Sequence, residues 1–276
     1  MGKNRKSIGC KGMTLRVRCL ISELSLNQPY LLCGTIDSSL IAKQVVDYLI
    51  GKLDAKLFRE IYSNYFPSYV LVKNDGTVEL MRNELYFWRN DKQKNDLMFF
   101  TGNTQPLTPE GQYEVAYEVL NLAEELNVKK VFTFSAYPVK GYSNNGKPKV
   151  YAVATEKKTL NELEGYDVKI LDKGYVRGLN GLIFGLAKLK KISGICFFAE
   201  TVSYLTPSGR MVVDVKPVQA ILETLMKFLD IKVDLTEIEK QVKVTEDFIK
   251  KLEEIERQAL EELSKTFAPK KQTYYI

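Results

Sequence analysis

The first 230 residues alternate between short apolar runs and longer stretches in which apolar positions recur at three- and four-residue steps. The short runs predict strands, and the amphipathic stretches predict helices. Predicted strands cover 15–21, 30–33, 57–62, 69–73, 97–101, 131–135, 150–155 and 194–199. Predicted helices cover 40–53, 109–126, 179–189 and 215–229. This alternation predicts an α/β fold of three α/β/α layers, with helices on both faces of the sheet.

Polar residues mark where several of these elements begin. Asp37 is suited to cap the first helix. The sequence Thr-Pro-Glu at 108–110 predicts a helix start, because the hydroxyl caps the backbone, proline fits the first helical position and glutamate favours the positive helix end. Asn-Asp-Gly at 74–76 predicts a tight turn between strands over 69–73 and 77–87, which would then form a hairpin.

The chain continues into a stretch rich in Glu, Lys, Leu and Ile over residues 237–265. Its apolar positions step by three and four, which predicts an amphipathic helix whose apolar stripe must be covered. This period fits packing on the helix's own domain and packing against other copies of the chain equally well. The stripe consists of Phe248, Leu252, Ile255, Ala259 and Leu263, broadened by Ile249 and Leu260.

These patterns divide the chain into four expected segments. Residues 1–13 form a basic flexible arm, and residues 14–235 form one α/β domain. Residues 236–265 form the C-terminal amphipathic helix. Residues 266–276 form a flexible tail, because Pro269 and the lysines after it do not continue a helix comfortably.

Composition narrows the classes of function. Among 276 residues there is no histidine, so the commonest general base and metal ligand is missing and catalysis is less expected. No apolar run approaches the roughly 20 residues needed to span a bilayer, and no secretion signal is evident, so we expect a cytoplasmic protein. The net charge of +6 lies mostly in the N-terminal arm without a nucleic-acid motif, so nucleic acid is not an expected partner.

The four cysteines, Cys10, Cys19, Cys33 and Cys196, are widely separated and form no C-x-x-C pair. The last three lie in strand-like apolar runs, where cysteine behaves as a small buried hydrophobe. A disulfide framework or a zinc site is therefore not expected.

Three polar segments could carry ligand chemistry, and each has a structural alternative. Residues 102–106 follow a strand, where α/β sheets bind ligands, but a turn that caps its own backbone is the favoured interpretation. The glycine-rich segment 178–185 enters a helix but lacks the phosphate-binding lysine, which favours close packing. Glu200 and Asp214 could pair as carboxylates, although ordinary loop and cap roles are favoured. We therefore predict no catalytic residue, no metal ligand and no cofactor.

The last three residues, Tyr274, Tyr275 and Ile276, combine a hydrophobic residue, a tyrosine and the terminal carboxylate. They offer aromatic faces, a phenol hydroxyl and a fixed negative charge at the end of a tether. Capture of a terminal carboxylate is an established recognition mode. We predict that these residues dock in a pocket on another protein; the alternative is a chance occurrence of aromatic residues near a terminus.

Parts of the chain resemble archaeal homologues of the proteasome assembly chaperones. The resemblance covers roughly residues 30–240 and is carried by 100–106 with the helix from Pro109, by 178–181, by the strand 194–200 and by the helix near Val215. The tail has the hydrophobic-Tyr-any pattern (HbYX) of proteasome activators and of the PbaB-type homologue. One departure is the turn Gly-Thr-Ile-Asp at 34–37, where a second glycine is expected.

This resemblance implies a nucleoside-phosphorylase-like α/β/α fold without enzymatic residues. It implies a homo-oligomer, with a tetramer favoured, that binds the α-subunits of the core proteasome; unfolded proteins are further expected partners, and membranes are not. The implied activity is ATP-independent activation, in which the tail docks in α-ring pockets and opens the gate. Two alternatives are an assembly scaffold with an incidental tail and a nucleoside- or nucleotide-processing enzyme of similar fold.

Overall fold

The computed structural model of the chain describes residues 14–37, 39–92, 94–140, 142, 146–202, 204–205, 211–212 and 215–266. Its helices are α1 Ile41–Lys52, α2 Pro109–Glu125, α3 Lys157–Asn161, α4 Gly178–Leu189, α5 Lys216–Leu229 and α6 Thr236–Thr266. Its strands are β1 Leu15–Cys19, β2 Tyr30–Gly34, β3 Lys56–Ser63, β4 Val70–Val72, β5 Val78–Leu80, β6 Asn83–Trp88, β7 Leu97–Gly102, β8 Lys130–Pro138, β9 Val150–Ala154, β10 Val168–Ile170, β11 Ser193–Thr201, β12 Tyr204–Leu205 and β13 Met211–Val212.

In this part of the chain, nine strands form one mixed sheet in the order β1-β3-β6-β7-β2-β8-β11-β9-β10. The central strands β7, β2, β8 and β11 run parallel to one another. Antiparallel pairs flank them, through β1, β3 and β6 on one side and β9 on the other. Parallel strands are covered on both faces, which explains why the central strands are continuous apolar runs in the sequence.

Helices cover both faces of the sheet and confirm the α/β/α prediction. On one face, α1, α5 and the beginning of α6 pack on a core that includes the stacked rings of Phe132 and Phe197, whose centroids lie 6.3 Å apart. Phe228 of α5 meets Phe132 edge-on at 5.7 Å. On the other face, α2 and α4 pack on a second apolar cluster.

The predicted element boundaries hold where a side chain fixes them. Thr108 accepts a hydrogen bond from the backbone N of Gly111 (3.3 Å) and caps α2 as expected. Asp37 forms its hydrogen bonds before the helix begins and does not cap it. Its carboxylate accepts hydrogen bonds from the backbone N of Ser39 (2.9 Å) and Leu40 (2.8 Å), so it stabilises the turn that precedes α1 instead of the first helical turn.

The contacts of the turn after β2 explain why the sequence has no second glycine there. A Cβ on Gly34 would lie 2.1 Å from the carbonyl O of Ala42, so glycine lets α1 approach the strand closely. The next residue, Thr35, is fully buried, and both its backbone N and its hydroxyl donate to the Asn180 side-chain oxygen. A glycine at position 35 would lose the hydrogen bond that the Thr35 hydroxyl donates to Asn180.

Two predictions need correction. The strand expected over 77–87 is divided, because β5 pairs with β4 in the hairpin whereas β6 joins the main sheet. Cys19 is exposed instead of buried, because it lies on the edge strand β1, whereas Cys33 and Cys196 are buried as expected. Among the described residues, no helix has the length and apolarity required to cross a membrane.

Candidate functional site

The polar loop 102–106 uses its hydrogen-bonding groups within the fold. The Asn103 side-chain oxygen accepts from the backbone N of Arg82 (2.9 Å), and the Asn83 amide donates to the Thr104 carbonyl (2.8 Å). The Gln105 side-chain oxygen accepts from the backbone N of Leu179 (3.4 Å) at the start of α4. These contacts support the interpretation of this segment as a structural turn.

The glycine-rich start of α4 is also explained by packing. A Cβ on Gly181 would lie 2.2 Å from the carbonyl O of Val176, so the backbones approach too closely for a side chain. Asn180 is buried and directs its side-chain oxygen to the backbone N and the hydroxyl of Thr35, at 3.1 Å each. The side chain that faces the end of β2 is therefore committed to holding α4 against the sheet.

Glu200 is only 2% exposed and lies near the end of β11. Its carboxylate accepts hydrogen bonds from the backbone N of Lys149 and from the Tyr151 hydroxyl, both at 3.1 Å. Burial, and then the hydrogen bond to Glu200, raise the pKa of the Tyr151 phenol. The Glu200 carboxylate therefore joins the start of β9 to β11. Asp214, with which it could form a carboxylate pair, lies outside the described residues.

The buried thiols are poor nucleophiles. Burial raises the pKa of Cys33 far above its ordinary value, and burial raises that of Cys196 to about 12. Both groups are therefore protonated at neutral pH, and the thiolate is the reactive form. Within the described part of the chain, no three His, Cys, Asp or Glu residues group in a way that could hold a metal ion.

The predicted docking residues Tyr274, Tyr275 and Ile276 lie outside the described residues, and the structure describes instead the helix that leads to them. The first half of α6 packs on the body of the protein, where Ile238 and Ile249 are buried. Flanking contacts join α6 and its entry to α1 and α5. They are Tyr48 hydroxyl to Asp234 carbonyl (2.8 Å), Lys52 to Glu237 (3.0 Å) and Lys216 to Glu246 (2.8 Å).

Another edge of α6 is only partly covered by the rest of the described chain. Val244 is 70% exposed, Phe248 is 45% exposed and Ile255 is 54% exposed. A helix of 31 residues is about 46 Å long, so its distal half extends well past the contacts with α1 and α5. Each packing alternative therefore applies to one edge of α6. One edge packs within the chain, and the other is exposed and could contact a partner.

Comparison with known proteins places this architecture in a family. The profile of the PAC2 family matches residues 31–253. The chain belongs to the PAC2 family. An uncharacterized protein of Methanocaldococcus jannaschii is 32% identical over 221 residues, which cover 80% of this chain and 81% of that protein. The PAC2 match begins in β2 and ends within α6, so the segment that leads to the tail lies beyond it.

Two solved structures share the fold. The crystal structure of Pyrococcus furiosus PbaB, described as an archaeal proteasome activator, is 30% identical with a TM-score of 0.76, over 87% of this chain and 100% of that chain. Pyrococcus furiosus PbaA, described as an archaeal homolog of proteasome-assembly chaperone, is 21% identical with a TM-score of 0.67, over 92% and 99%. The second likeness concerns the fold alone.

The structure also contains a surface groove that the sequence interpretation missed. It lies between α2 and α4 and encloses about 480 Å³. A signal for it was present in the glycines at steps of three and four on α4. Its lining includes Tyr113, Val176, Gly181, Leu182, Gly185 and Leu189.

Proposed function

We propose that this PAC2 protein is an ATP-independent activator of the core proteasome that docks its C-terminal tail in pockets of the α-ring. The likeness to PbaB supports this assignment, because it is 30% identical and spans all of that activator's chain. The observation that carries the proposal is the terminal sequence Tyr274-Tyr275-Ile276, which begins eight residues beyond the end of α6, a helix that itself extends from the body.

The proposed mechanism is physical and not catalytic. The Ile276 carboxylate pairs with a lysine in a pocket between neighbouring α-subunits, and the charge-assisted contact fixes the end of the chain. The Tyr275 ring packs in the pocket while its hydroxyl forms a hydrogen bond. Tyr274 supplies a further apolar contact. Binding opens the gate only if the tail has a higher affinity for the open α-ring than for the closed one.

Several tails on one homo-oligomer, which we propose to be a tetramer, would compensate for the weakness of one tail. Linking binding segments raises overall avidity by about 10²–10⁴ when the geometry permits simultaneous engagement. We further propose that residues 14–235 act as the assembling body, that 236–265 act as a spacer and that 266–276 act as a flexible tether. Residues 1–13 form a basic arm without an assigned role.

Truncation separates this proposal from its two alternatives. Deleting Tyr274–Ile276 should abolish stimulation of peptide hydrolysis by an archaeal core proteasome, whereas Thr273→Ala, the matched control beside the tail, should retain it. If the truncated chain still stimulates hydrolysis, the docking mechanism is wrong. If neither chain stimulates hydrolysis and both promote assembly of the core particle equally, the scaffold alternative is correct. Turnover of nucleosides by both chains would support the enzyme alternative.

A further inference from the structure

Strand β1 is an edge of the main sheet, with β3 on one side and no strand of the described chain on the other. Its hydrogen bonds to the β3 side are seen at both ends. The carbonyl of Thr14 accepts from the backbone N of Asn64 (2.8 Å), and the backbone N of Leu20 donates to the carbonyl of Phe58 (2.9 Å). The even-numbered residues of this segment therefore bond toward β3.

The odd-numbered residues of β1 direct their backbone N–H and C=O groups to the free side, because alternate residues of an antiparallel strand bond to opposite sides. These residues are Leu15, Val17 and Cys19. The strand contains no proline, and its pairing with β3 is regular from end to end. A row of unpaired backbone groups on a regular edge strand is a template for the addition of another strand.

A cleft of about 600 Å³ lies along this free side. Arg16 and Arg18 point to one face of β1 and Val17 to the other, and all three line the cleft, so it borders the edge of the strand. The hairpin β4–β5 forms another wall through Val70 and Leu80, which are 44% and 61% exposed. A strand added here would gain apolar contacts as well as backbone hydrogen bonds.

The charge of the cleft determines which kind of strand fits. Its lining contains two arginines and no acidic residue. Arg18 pairs with Glu60 (3.1 Å) while its side chain remains 67% exposed, and no described carboxylate pairs with Arg16. Side chains directly opposite each other on neighbouring strands interact, and opposite charges are stabilising there. An added strand should therefore place acidic side chains opposite the two arginines and an apolar side chain opposite Val17.

The same charge rule disfavours this chain itself as the added strand. Two copies of β1 would place arginines opposite arginines, and β10, the strand at the other end of the main sheet, carries Lys169. Residues 1–13, which precede β1, contain four basic and no acidic side chains. Like charges directly opposite each other are destabilising. The charges therefore favour a segment of another protein.

We propose that β1 and the adjoining cleft bind an extended segment of another protein, in which acidic and apolar residues alternate, as an antiparallel strand added to the sheet. This direction continues the existing pattern, because β1, β3 and β6 are joined by antiparallel pairs. Antiparallel pairing is also slightly more stable per residue than parallel pairing. The inference goes beyond the proposed function, since the C-terminal tail has no part in it.

Fluorescence anisotropy of the full chain with a labelled synthetic peptide of alternating glutamate and valine tests this contact. Arg16→Glu should weaken binding by about tenfold, because it reverses the charge opposite a glutamate. Lys169→Glu is the matched control, since it makes the same kind of charge change on the opposite edge strand, and it should leave the affinity unchanged. Absence of binding to the unaltered chain, or an equal loss in both variants, would overturn the inference.

Methylation of the peptide backbone tests whether the peptide is added as a strand. In an antiparallel complex, the peptide residue opposite Val17 is a valine, and it exchanges both backbone hydrogen bonds with Val17. N-methylation of the valines should therefore abolish binding, whereas N-methylation of the glutamates, whose N–H groups point away from β1, should preserve it. The two peptides have the same charge. Equal affinities, or a loss confined to the methylated glutamates, would overturn antiparallel addition to β1.

A pair of hairpin variants tests the contribution of the cleft. Leu80→Glu places a carboxylate in its arginine-containing, otherwise uncharged wall and should weaken binding of the acidic peptide by about tenfold. Val72→Glu is the matched control, because Val72 lies on the same face of the hairpin, is 73% exposed and does not line the cleft. Both variants should keep the urea midpoint of the unaltered chain. Equal peptide affinities of the two variants would contradict binding in the cleft.

Other occupants of the free edge would be recognised by their own results. Peptide binding that occurs only after deletion of residues 1–13 would show that the basic arm covers β1, and would overturn the inference. Self-association that Arg16→Glu abolishes, without binding of the peptide, would show that a second copy covers β1, and would also overturn it. Deletion of Tyr274–Ile276 should leave peptide binding unchanged, so failure of this inference and failure of the proposed function are distinguishable.

Discussion

The two faces of the sheet differ in how completely the chain covers them. On the face of α1, α5 and α6, aromatic rings from the strands meet Phe228 of α5, and the core is closed. On the face of α2 and α4, the helices cover the sheet but leave a groove between their outer sides. Both faces bury an apolar core that stabilises the fold, and the second also carries this groove. Substitutions in a core and on the rim of the groove should therefore have effects of different size.

The largest contrast should be between Phe132→Ala and Tyr113→Ala. Phe132 is fully buried and contacts the rings of Tyr30, Phe197 and Phe228. Its truncation should lower the free energy of unfolding by about 3–5 kcal/mol. Tyr113 is 47% exposed, so its truncation should change that free energy by less than about 0.5 kcal/mol. Urea denaturation measures both, and similar losses would contradict the contrast between the core and the rim of the groove.

A smaller loss is expected where α4 is fixed to the sheet. Asn180→Ala leaves the backbone N and hydroxyl of buried Thr35 without their shared acceptor, so the free energy of unfolding should fall by about 1–3 kcal/mol. Asn180→Asp retains an acceptor and is the comparison variant. An unchanged urea midpoint for Asn180→Ala would contradict the structural role assigned to this side chain.

Two glycines of α4 should respond with opposite sign to the same substitution. Gly181→Ala forces its Cβ against the Val176 carbonyl and should destabilise the fold by about 1–3 kcal/mol. Gly185→Ala meets open space and should stabilise the isolated chain by about 0.5–1 kcal/mol. Thermal unfolding at low protein concentration gives both values. Destabilisation by Gly185→Ala would contradict the open space that surrounds this position.

The smallest effect concerns the ion pair that holds α6 on α5. The hydrogen bond from Lys216 lowers the pKa of Glu246 below its ordinary value. A carboxyl with a lowered pKa in the folded state contributes stability above its unfolded pKa, and loses it as the pH falls through the folded pKa. The pair is partly exposed, so Glu246→Gln should cost less than about 1 kcal/mol at pH 7, and this cost should shrink as the pH falls through the folded pKa. A cost that stays the same as the pH is lowered, measured in urea, would contradict this linkage.

Local patterns predicted most of the elements because their causes are local. The cap at Thr108 and the apolar steps of α5 can be read from consecutive residues. The division of the strand over 77–87 could not, because it depends on β6 pairing with β3 and β7 while β5 pairs with β4. The short strand β10 was missed for the same reason, since its support is the pairing with β9.

The candidate sites show the same limit. The sequence indicated a turn at 102–106 and close packing near Gly181, and hydrogen bonds and short backbone approaches explain both. It could not indicate that Gly185 faces open space, because this depends on the orientation of α4 against α2. The division of α6 into a body-facing edge and an exposed edge likewise depends on where α1 and α5 lie. The role of Tyr274–Ile276 stays a prediction from the sequence.

The most direct test of the proposed activity is peptide hydrolysis by an archaeal core proteasome in the presence of the intact protein and of Tyr275→Ala. The variant must have the same oligomeric mass, so that only the tail differs. We predict stimulation by the intact protein and its loss in Tyr275→Ala, without any requirement for ATP. Equal stimulation by the two proteins would contradict docking of the tail as the means by which the gate is opened.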